Sequence, residues 1–378
     1  MSDIKSLTRH NISSGGAFEA VFGYSRAVKI GDEIHVSGSC ASIEYEKAGV
    51  YEQTKAILQT IGNALKEAQA NYSDVVQTIV YVRDMNDAEE VAKAHSEIFG
   101  IIKPASTLIQ VISMMRPWQK VEISAVAVKN KKRSNISSGG AFENVFGYSR
   151  AVEVGNKIHV SGSCASAECE KSNVYEQSMN IFKTIETALN KADATIEDVV
   201  RTIVYLRDMN DAEEVAKAHN EVFGTVKPAS TLIQVVSMMR PWQKVEISAY
   251  ACRDQQKTKI SSGGAFEDIF GYSRAIKLKN ETHVSGSCAP AEFEKGSAYE
   301  QSKAILKTIA TALEKAETPL TDVVRTVVYV RDMNDAEEVA KAHCEVFGTI
   351  KPASTLVQVI SMMRPWQKVE IEAYAMTE

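Results

Sequence analysis

The feature that most constrains this chain is a long internal repeat. The string DMNDAEEVAKAH occurs at 84–95, at 208–219 and at 332–343, so each occurrence lies 124 residues beyond the last. The shorter strings HVSGSCA, KPASTL and RPWQKVEI keep the same offset, and the copies align without a gap. A period of this length is too long for a solenoid repeat and long enough for a complete small domain. The sequence therefore predicts three copies of one domain, at residues 1–135, 136–259 and 260–378.

The joints between the copies limit how the three domains can be arranged. Each joint is polar and spans about eight residues, which at roughly 3.3–3.6 Å per residue reaches less than about 30 Å. Consecutive copies must therefore lie side by side. This predicts a ring with pseudo-threefold symmetry inside one chain, the covalent equivalent of a cyclic homotrimer.

Composition and charge argue against several kinds of partner. The formal net charge of -5 arises from 43 basic and 48 acidic residues, which are interspersed, so nucleic acid is not an expected partner. No apolar run approaches the roughly 20 residues that span a membrane, and residues 1–10 lack the apolar segment of a signal peptide. We therefore expect no membrane partner and a cytoplasmic location. The six cysteines form no CxxC pair, and we expect all of them to be reduced.

Patterning in the first copy predicts five strands and two helices. Apolar residues at 3.6-residue spacing indicate a helix over 50–70. Asp87, followed three residues later by Glu90, predicts the capped start of a second helix, which ends near Gly100. Gly31-Asp32 favours a hairpin turn. The predicted strands lie at 24–30, 33–39, 75–83, 106–112 and 120–128.

The order of these elements, ββαβαββ, predicts an α+β fold with one mixed sheet and both helices on one face. In a lone domain the other face of the sheet would expose apolar side chains to water. We therefore expect the three sheets to pack against each other through repeat–repeat contacts. Clefts between copies are then the expected sites for a small-molecule substrate or ligand.

Four segments of the first copy carry a resemblance to a known family. The segments GYSRAVKIGDEIHVSG, VRDMND, KPASTLIQV and KVEISAVA resemble the Rid family, also called the YjgF family, over nearly the whole of each copy. The resemblance implies a chorismate-mutase-like fold and a trimeric arrangement with three clefts at the interfaces. It also implies hydrolysis of reactive 2-aminoacrylate-type enamines and imines to keto acids and ammonia.

The resemblance further implies which residues form the cleft. The family's tyrosine, serine, glycine and water-orienting glutamate are present in every copy, and its asparagine is present by a looser alignment. Serine replaces the arginine that grips a substrate carboxylate, which implies poor activity on 2-aminoacrylate and a substrate without a carboxylate. These positions, in the order just given and with the replacing serine last, are Tyr24, Ser37, Gly38, Glu122, Asn86 and Ser106; Tyr148, Ser161, Gly162, Glu246, Asn210 and Ser230; and Tyr272, Ser285, Gly286, Glu370, Asn334 and Ser354.

Two other arginines in each copy are candidates for ligand binding. Arg26 lies two residues after Tyr24, so strand alternation places both side chains on one face; a solvated or salt-bridged arginine is the alternative. Arg116 lies beside Pro117-Trp118 in a loop, where packing against the tryptophan is the alternative. Their counterparts are Arg150, Arg240, Arg274 and Arg364.

Glu122 is the candidate catalytic base, and Glu246 and Glu370 are its counterparts. A carboxylate in the cleft could align water for attack on a C=N carbon if its pKa lies near neutrality. The alternative is an ion pair with Arg116 or Lys120.

Other chemistry has weaker support in the sequence. His35 and Ser37 share a strand face, but residues i and i+2 lie about 6.5–7 Å apart, too far for a direct Ser–His pair. No HExxH, Walker or GxGxxG motif is present, so we expect no metal and no cofactor. The glycine turn SSGGAF at 13–18 has no following helix pattern and is weak support for phosphate binding. Cys40 is a candidate reactive thiol, with simple burial as the commoner outcome.

Taken together, these features predict a Rid-like enzyme that binds and hydrolyses a small imine, enamine or related carbonyl compound at the clefts between copies. The alternative from another class is a non-catalytic small-molecule sensor or protein-binding scaffold on the same ring. A ribonuclease or translation inhibitor is disfavoured by the acidic balance of charge.

Overall fold

Each repeat folds into a six-stranded sheet with helices on one face. The computed structural model describes residues 8–377. The elements of the first repeat are β1 (Arg9–Ile12), α1 (Ala17–Phe22), β2 (Ala27–Ile30), β3 (Glu33–Cys40), α2 (Val50–Glu67), β4 (Val75–Val82), α3 (Ala88–Phe99), β5 (Ala105–Gln110) and β6 (Val121–Val128).

The second and third repeats contain the same elements in the same order. Those of the second are β7 (Arg133–Ile136), α4 (Ala141–Phe146), β8 (Ala151–Val154), β9 (Lys157–Cys164), α5 (Val174–Asn190), β10 (Val199–Leu206), α6 (Ala212–Phe223), β11 (Ala229–Gln234) and β12 (Val245–Cys252). Those of the third are β13 (Thr258–Ile260), α7 (Ala265–Phe270), β14 (Ala275–Lys277), β15 (Glu281–Cys288), α8 (Ala298–Lys315), β16 (Val323–Val330), α9 (Ala336–Phe347), β17 (Ala353–Gln358) and β18 (Val369–Met376).

The sheet topology is the same in all three repeats. In the first repeat the strand order is β1-β2-β3-β6-β4-β5, with β4 and β5 parallel and every other neighbouring pair antiparallel. The α+β fold with the order ββαβαββ is therefore confirmed. Each repeat adds an edge strand and a short helix before that core.

Helix α2 shows how the sequence pattern produces the helical layer. Ile57, Leu58, Ile61 and Leu65 recur at helical spacing and are all buried. They pack in one core with the inward side chains of β3 and β6, and α3 adds Phe99 to the same core. The apolar stripe of an amphipathic helix thus holds both helices on the outer face of the sheet.

The opposite faces of the three sheets pack together around the pseudo-threefold axis. Ile79, Tyr81 and Ile109 belong to one buried cluster that also contains their counterparts from the second and third repeats. At the interfaces β5 lies against β9, β11 against β15, and β17 against β3. A backbone bridge between Ser25 and Ala353 joins the third repeat to the first. The chain therefore closes into the predicted intramolecular pseudo-trimer.

One strand boundary and one capping contact were predicted wrongly, and one short helix was not predicted. The first predicted strand starts at Ala27 rather than at residue 24, because the chain leaves α1 only at Gly23, where φ is 65°. The sequence did not predict α1, since six residues are too few to show a helical period. Asp87 occupies the N-cap of α3 but makes no side-chain capping bond; the side chain of Asp84 accepts from the Asn86 N–H instead.

Two further properties of the described residues bear on the sequence predictions. None of the helices within residues 8–377 has both the length and the apolar composition needed to cross a membrane. All six cysteines are free thiols.

Candidate functional site

A cleft between the first and third repeats brings together most of the residues singled out from the sequence. A cavity of about 640 Å³ is lined by Tyr24, Arg26, Gly38, Arg116 and Glu122 from the first repeat and by Ser354 from the third. The neighbouring cleft has a volume of about 460 Å³ and joins the second repeat to the first; its residues are Tyr148, Arg150, Gly162, Arg240, Glu246 and Ser106. Ser354 and Ser106 each therefore line the cleft of the next repeat in the ring.

Glu122 lies at the base of the first cleft, on the central strand β6. Its flanking residues Val121 and Ile123 point to the opposite face and are fully buried, whereas the Glu122 side chain reaches the cavity. The residue is only 5% exposed, and this burial raises the pKa of its carboxyl to about 7. The pKa values of Glu246 and Glu370 are raised to about 7 for the same reason.

The partner of the Glu122 carboxylate is a thiol rather than a cation. Cys40 Sγ donates to Glu122 Oε2 at 3.2 Å, and the equivalent pairs Cys164–Glu246 and Cys288–Glu370 are 3.3 Å apart. Burial and the adjacent carboxylate raise the pKa of the Cys40 thiol well above its usual value. Within residues 8–377, Glu122 forms no ion pair with Arg116 or Lys120, the alternative that the sequence left open.

Arg26 contributes to the wall of the cleft with all of its terminal nitrogens. Its Nη1 donates to the Gly38 carbonyl at 2.9 Å and to Ser39 Oγ at 3.0 Å, and its Nη2 donates to Tyr24 Oη at 3.0 Å. The side chains of Tyr24 and Arg26 thus lie together, as predicted, although both residues precede β2. Burial raises the pKa of the Tyr24 hydroxyl, so this group is neutral and can donate its proton. Arg150 and Arg274 repeat the arrangement.

Ser37 joins two repeats instead of lining the cavity. Its Oγ donates to the Ser25 carbonyl at 2.6 Å and accepts from the Ser354 N–H at 2.8 Å. Next to it, the Gly38 N–H donates to Thr355 Oγ1 at 3.0 Å. Ser161 and Ser285 form the same joints at the other two interfaces. Because the Ser37 hydroxyl already donates one hydrogen bond and accepts another, it is not available to pair with His35.

The hydroxyl of Ser106, the serine that the resemblance aligns with the family's arginine, is hydrogen-bonded within its own repeat. Thr78 Oγ1 donates a hydrogen bond to Ser106 Oγ at 3.0 Å. The same Thr78 oxygen is hydrogen-bonded to His95 Nε2 at 3.1 Å. His95 Nδ1 in turn lies 2.7 Å from the Phe146 carbonyl of the second repeat. Ser230 and Ser354 have the same partners in their repeats. A serine hydroxyl that is hydrogen-bonded in this way provides no positive charge to a ligand.

Two of the predicted binding residues lie at the edge of the cleft or outside it. Arg116 is exposed at the mouth, and its guanidinium stacks over the Phe18 ring at 5.0 Å. Arg240 and Arg364 stack on the equivalent phenylalanines. Asn86 is exposed in the turn before α3 and does not line the cavity. The counterparts Asn210 and Asn334 occupy the same turn in their repeats.

Sequence reasoning missed the apolar wall of the cleft. Phe18 and Phe22 from α1, Trp118 from the loop before β6 and Leu356 from the third repeat all line the cavity. Phe18 ends the segment SSGGAF, which was interpreted as a glycine turn, and Phe22 lies four residues beyond it. No group of three or more histidine, cysteine or acidic side chains within residues 8–377 is arranged to hold a metal.

Comparison with known proteins identifies the family. The family model described as Endoribonuclease L-PSP matches residues 15–129, 139–253 and 263–377. The chain belongs to this family, which is also known as YjgF or Rid. A RutC family protein of Pyrococcus abyssi is 36% identical over 110 residues, which are 28% of this chain and 86% of the relative. The 2-iminobutanoate/2-iminopropanoate deaminase of Mus musculus is 34% identical over 130 residues, 33% of this chain and 96% of the relative.

Solved structures include family members and one larger enzyme. A YjgF/YER057c/UK114 family member from Mycobacterium tuberculosis is 36% identical, with 32% of this chain and 99% of that chain covered and a TM-score of 0.31. A chorismatase is 13% identical, with 80% of this chain and 93% of that chain covered and a TM-score of 0.56. The chorismatase match extends beyond a single YjgF repeat and shows a shared fold.

Proposed function

We propose that this protein binds a small imine or enamine that lacks a carboxylate and hydrolyses it to a carbonyl compound and ammonia at the clefts between repeats. The observation that carries the proposal is the buried Glu122 carboxyl at the base of the cleft, whose pKa is raised to about 7. A group with this pKa accepts a proton at neutral pH and returns it readily, as general acid–base catalysis requires.

The reaction begins from the protonated imine, which is the more electrophilic form. Glu122 accepts a proton from water while the water oxygen bonds to the carbon of C=N, and the product is a carbinolamine. The Glu122 carboxyl then gives this proton to the amino nitrogen. The hydroxyl proton passes back to Glu122 as the C–N bond breaks and the C=O bond forms. Ammonia finally takes that proton, so the balance is iminium and water to carbonyl compound and ammonium.

The surroundings of Glu122 favour an apolar substrate. The Tyr24 hydroxyl accepts a hydrogen bond from Arg26 and can donate its own proton to the reacting nitrogen or oxygen. The Arg26 guanidinium already binds the cleft wall, and Ser354 offers no charge where the family's arginine would bind a carboxylate. Phe18, Trp118 and the neighbouring apolar side chains instead suit a hydrocarbon or aromatic substituent.

The test is ammonia release from freshly generated enamines and imines, supplied in pairs with and without a carboxylate. The wild type is compared with the triple variant Glu122→Gln, Glu246→Gln and Glu370→Gln. The matched control is the triple variant Glu89→Gln, Glu213→Gln and Glu337→Gln, which changes three exposed helical carboxylates. We expect the control to retain activity on the carboxylate-free compounds and the cleft variant to lose it by a factor of about 10²–10⁴.

Two outcomes would contradict the proposal in different ways. Turnover that is unchanged in the Glu122 triple variant would reject the glutamate-based mechanism. Tight binding of these compounds without ammonia release would instead support the non-catalytic sensor on the same ring.

A further inference from the structure

The three repeats differ where their sheets meet on the pseudo-threefold axis. Position 126 is valine in the first repeat, whereas the equivalent residues Tyr250 and Tyr374 are aromatic. Position 77 is glutamine, whereas the equivalents Arg201 and Arg325 are cationic. A small cavity of about 20 Å³ lies at this place, and we call it the axial cavity. Its lining residues are Glu33, His35, Gln77, Val126, His159, Arg201, Tyr250, His283, Arg325 and Tyr374.

The shorter side chain of Val126 explains why the axis is open on one side. Ring centroids lie 5.1 Å apart for His159 and Tyr250, 5.0 Å for Tyr250 and His283, 4.6 Å for His283 and Tyr374, and 5.1 Å for Tyr374 and His35. Five aromatic rings thus form an arc around the axis. A sixth ring, at position 126, would close the arc between His35 and His159.

The histidines on either side of this gap have unused hydrogen-bonding groups. Both ring nitrogens of His35 and of His159 are buried without a hydrogen-bond partner, although His35 Nε2 lies 3.4 Å from the Glu33 carboxylate. The third histidine, His283, bonds to Glu281 through Nε2. Burial lowers the pKa of His35 well below its usual value and that of His159 to about 3. Each imidazole is therefore neutral at physiological pH and has one N–H to donate.

Arg201 is the cation of the axial cavity that lacks an acidic partner. Arg325 lies 3.8 Å from Glu372, but the residue equivalent to Glu372 in the second repeat is Ser248. Arg201 is 7% exposed and forms no ion pair or hydrogen bond with any residue in 8–377. A largely buried guanidinium is stabilised by an anionic partner.

The other charged groups near the axis each have an ion-pair or hydrogen-bond partner. Lys157 is ion-paired with both Glu33 and Glu281. The surplus negative charge of that trio is stabilised by hydrogen bonds from the Tyr250 hydroxyl to Glu281 at 3.0 Å and from the Tyr374 hydroxyl to Glu33 at 3.4 Å. Among residues 8–377, Arg201 is therefore the charged group of the axial cavity without an ion-pair or hydrogen-bond partner, and it lies beside the unpartnered imidazoles.

We propose that the axial cavity binds a small monovalent anion of about the size of chloride, held by the Arg201 guanidinium and by N–H groups of His35 and His159. The cavity exceeds the roughly 10–15 Å³ that a cavity needs in order to hold one water molecule, and it is far too small for an organic substrate. The anion links the first and second repeats across the axis. It is separate from the three clefts and does not depend on their chemistry.

The direct test is anomalous diffraction from crystals of the full-length protein soaked in sodium bromide. We expect one bromide between Arg201, His35 and His159 in the wild type. We expect none in Val126→Tyr, which restores the ring found in the other repeats, or in Arg201→Gln, which introduces the residue of the first repeat. Water or an empty map at this place in the wild type overturns the proposal.

Thermal unfolding tests the same site in solution and does not require crystals of the variants. Sodium chloride is compared with sodium gluconate at equal ionic strength, since gluconate is too large for the cavity. We expect chloride to raise the Tm of the wild type and of the control Cys252→Val, which also imports a first-repeat residue but lies outside the cavity lining. Equal Tm values in the two salts for the wild type, or a chloride-dependent rise retained in both axial variants, overturns the proposal.

Discussion

Gly38 lies directly against the carboxylate of Glu122: a Cβ atom on residue 38 would be 1.9 Å from Glu122 Oε1. The same relationship holds for Gly162 with Glu246 and for Gly286 with Glu370, at 2.0 Å in each case. None of these glycines has a positive φ, so the reason for glycine is close approach rather than backbone conformation. Because the glycine has no side chain, the carboxylate has room at this place in the cleft.

Replacing these glycines tests whether the position of the carboxylate matters. In the triple variant Gly38→Ala, Gly162→Ala and Gly286→Ala, each new methyl group displaces a carboxylate from its thiol partner. We expect kcat/KM for ammonia release to fall about 10²–10⁴-fold, as for loss of the base. Each new methyl group also comes within 2.8–3.0 Å of a threonine Cγ2 of the neighbouring repeat, so we expect the fold to survive with a lower Tm.

The matched control changes another glycine of the cleft in each repeat. A Cβ atom on Gly16 would come no closer than 3.4 Å to any neighbour, and Gly140 and Gly264 are equivalent. The triple variant Gly16→Ala, Gly140→Ala and Gly264→Ala should therefore retain activity. Activity that survives equally in both triple variants would show that the carboxylate position is unimportant.

The raised pKa of Glu122 predicts the pH dependence of hydrolysis. The carboxyl must be ionised to accept a proton from water, and its pKa is about 7. The value of kcat/KM should therefore fall about tenfold per pH unit on the acidic side of pH 7. A pH profile measured between pH 5 and 9 checks this. A midpoint near pH 4.5, the ordinary value for glutamate, would contradict the assignment of the base.

The same three carboxyls should make the folded protein less stable as the pH rises. A carboxyl with a raised pKa binds its proton more tightly in the folded state, so its stabilising contribution is complete below pH 4.5 and is lost as the pH passes through about 7. The loss amounts to about 3 kcal/mol per group. Urea unfolding of the wild type and of the Glu122 triple glutamine variant, at pH 5 and pH 8, should therefore show a smaller pH effect in the variant. An equal change in the free energy of unfolding between pH 5 and pH 8 in the two proteins would contradict this prediction.

Much of the fold could be predicted from the sequence because its signals are periodic. The constant repeat offset and the short joints predicted the ring, and the apolar stripe of residues 50–70 predicted α2. Glu122 stood out because it interrupts an apolar strand in the family's pattern. The contact between Cys40 and Glu122 could not be predicted, since the two residues are 82 positions apart and meet only through the pairing of β3 with β6.

The axial cavity was missed for a different reason. Its residues come from different strands of all three repeats, and no local pattern unites them. The available signal was the opposite of a motif: Val126, Gln77 and Glu372 depart from their equivalents in otherwise similar copies. Such departures become informative only when the structure shows that they meet at one place.

The thiol of Cys40 should tune the base in each cleft. Its hydrogen bond favours the ionised carboxylate and acts to lower the pKa of Glu122 against the effect of burial. The triple variant Cys40→Ala, Cys164→Ala and Cys288→Ala should therefore move the midpoint of the pH profile upward. The corresponding serine variant, which keeps a donor, should leave the midpoint closer to that of the wild type. An unchanged midpoint in the alanine variant would show that the thiol only fills space.

Lys157 should be the side chain on which closure of the ring most depends. Lys157 belongs to the second repeat, and the equivalent residues of the other two repeats are Glu33 and Glu281. The Lys157 ammonium is ion-paired with both of these carboxylates. Burial favours the neutral form of the Glu281 carboxyl, but Lys157 and His283 outweigh this effect and lower its pKa. The pairing therefore stabilises the protein at neutral pH, and its contribution declines as the pH falls below the ordinary pKa of glutamate.

Lys157→Met removes the cation and leaves two buried carboxylates side by side. Loss of one member of a buried ion pair costs about 3–5 kcal/mol, so the urea midpoint at pH 7 should drop clearly below that of the wild type. The difference should narrow at pH 4, where the carboxylates of the variant can be protonated. Lys171→Met, at an exposed position of the same repeat, serves as the control and should be nearly neutral. If Lys157→Met were as stable as this control at pH 7, the axial ion pairs would contribute nothing to holding the three repeats together.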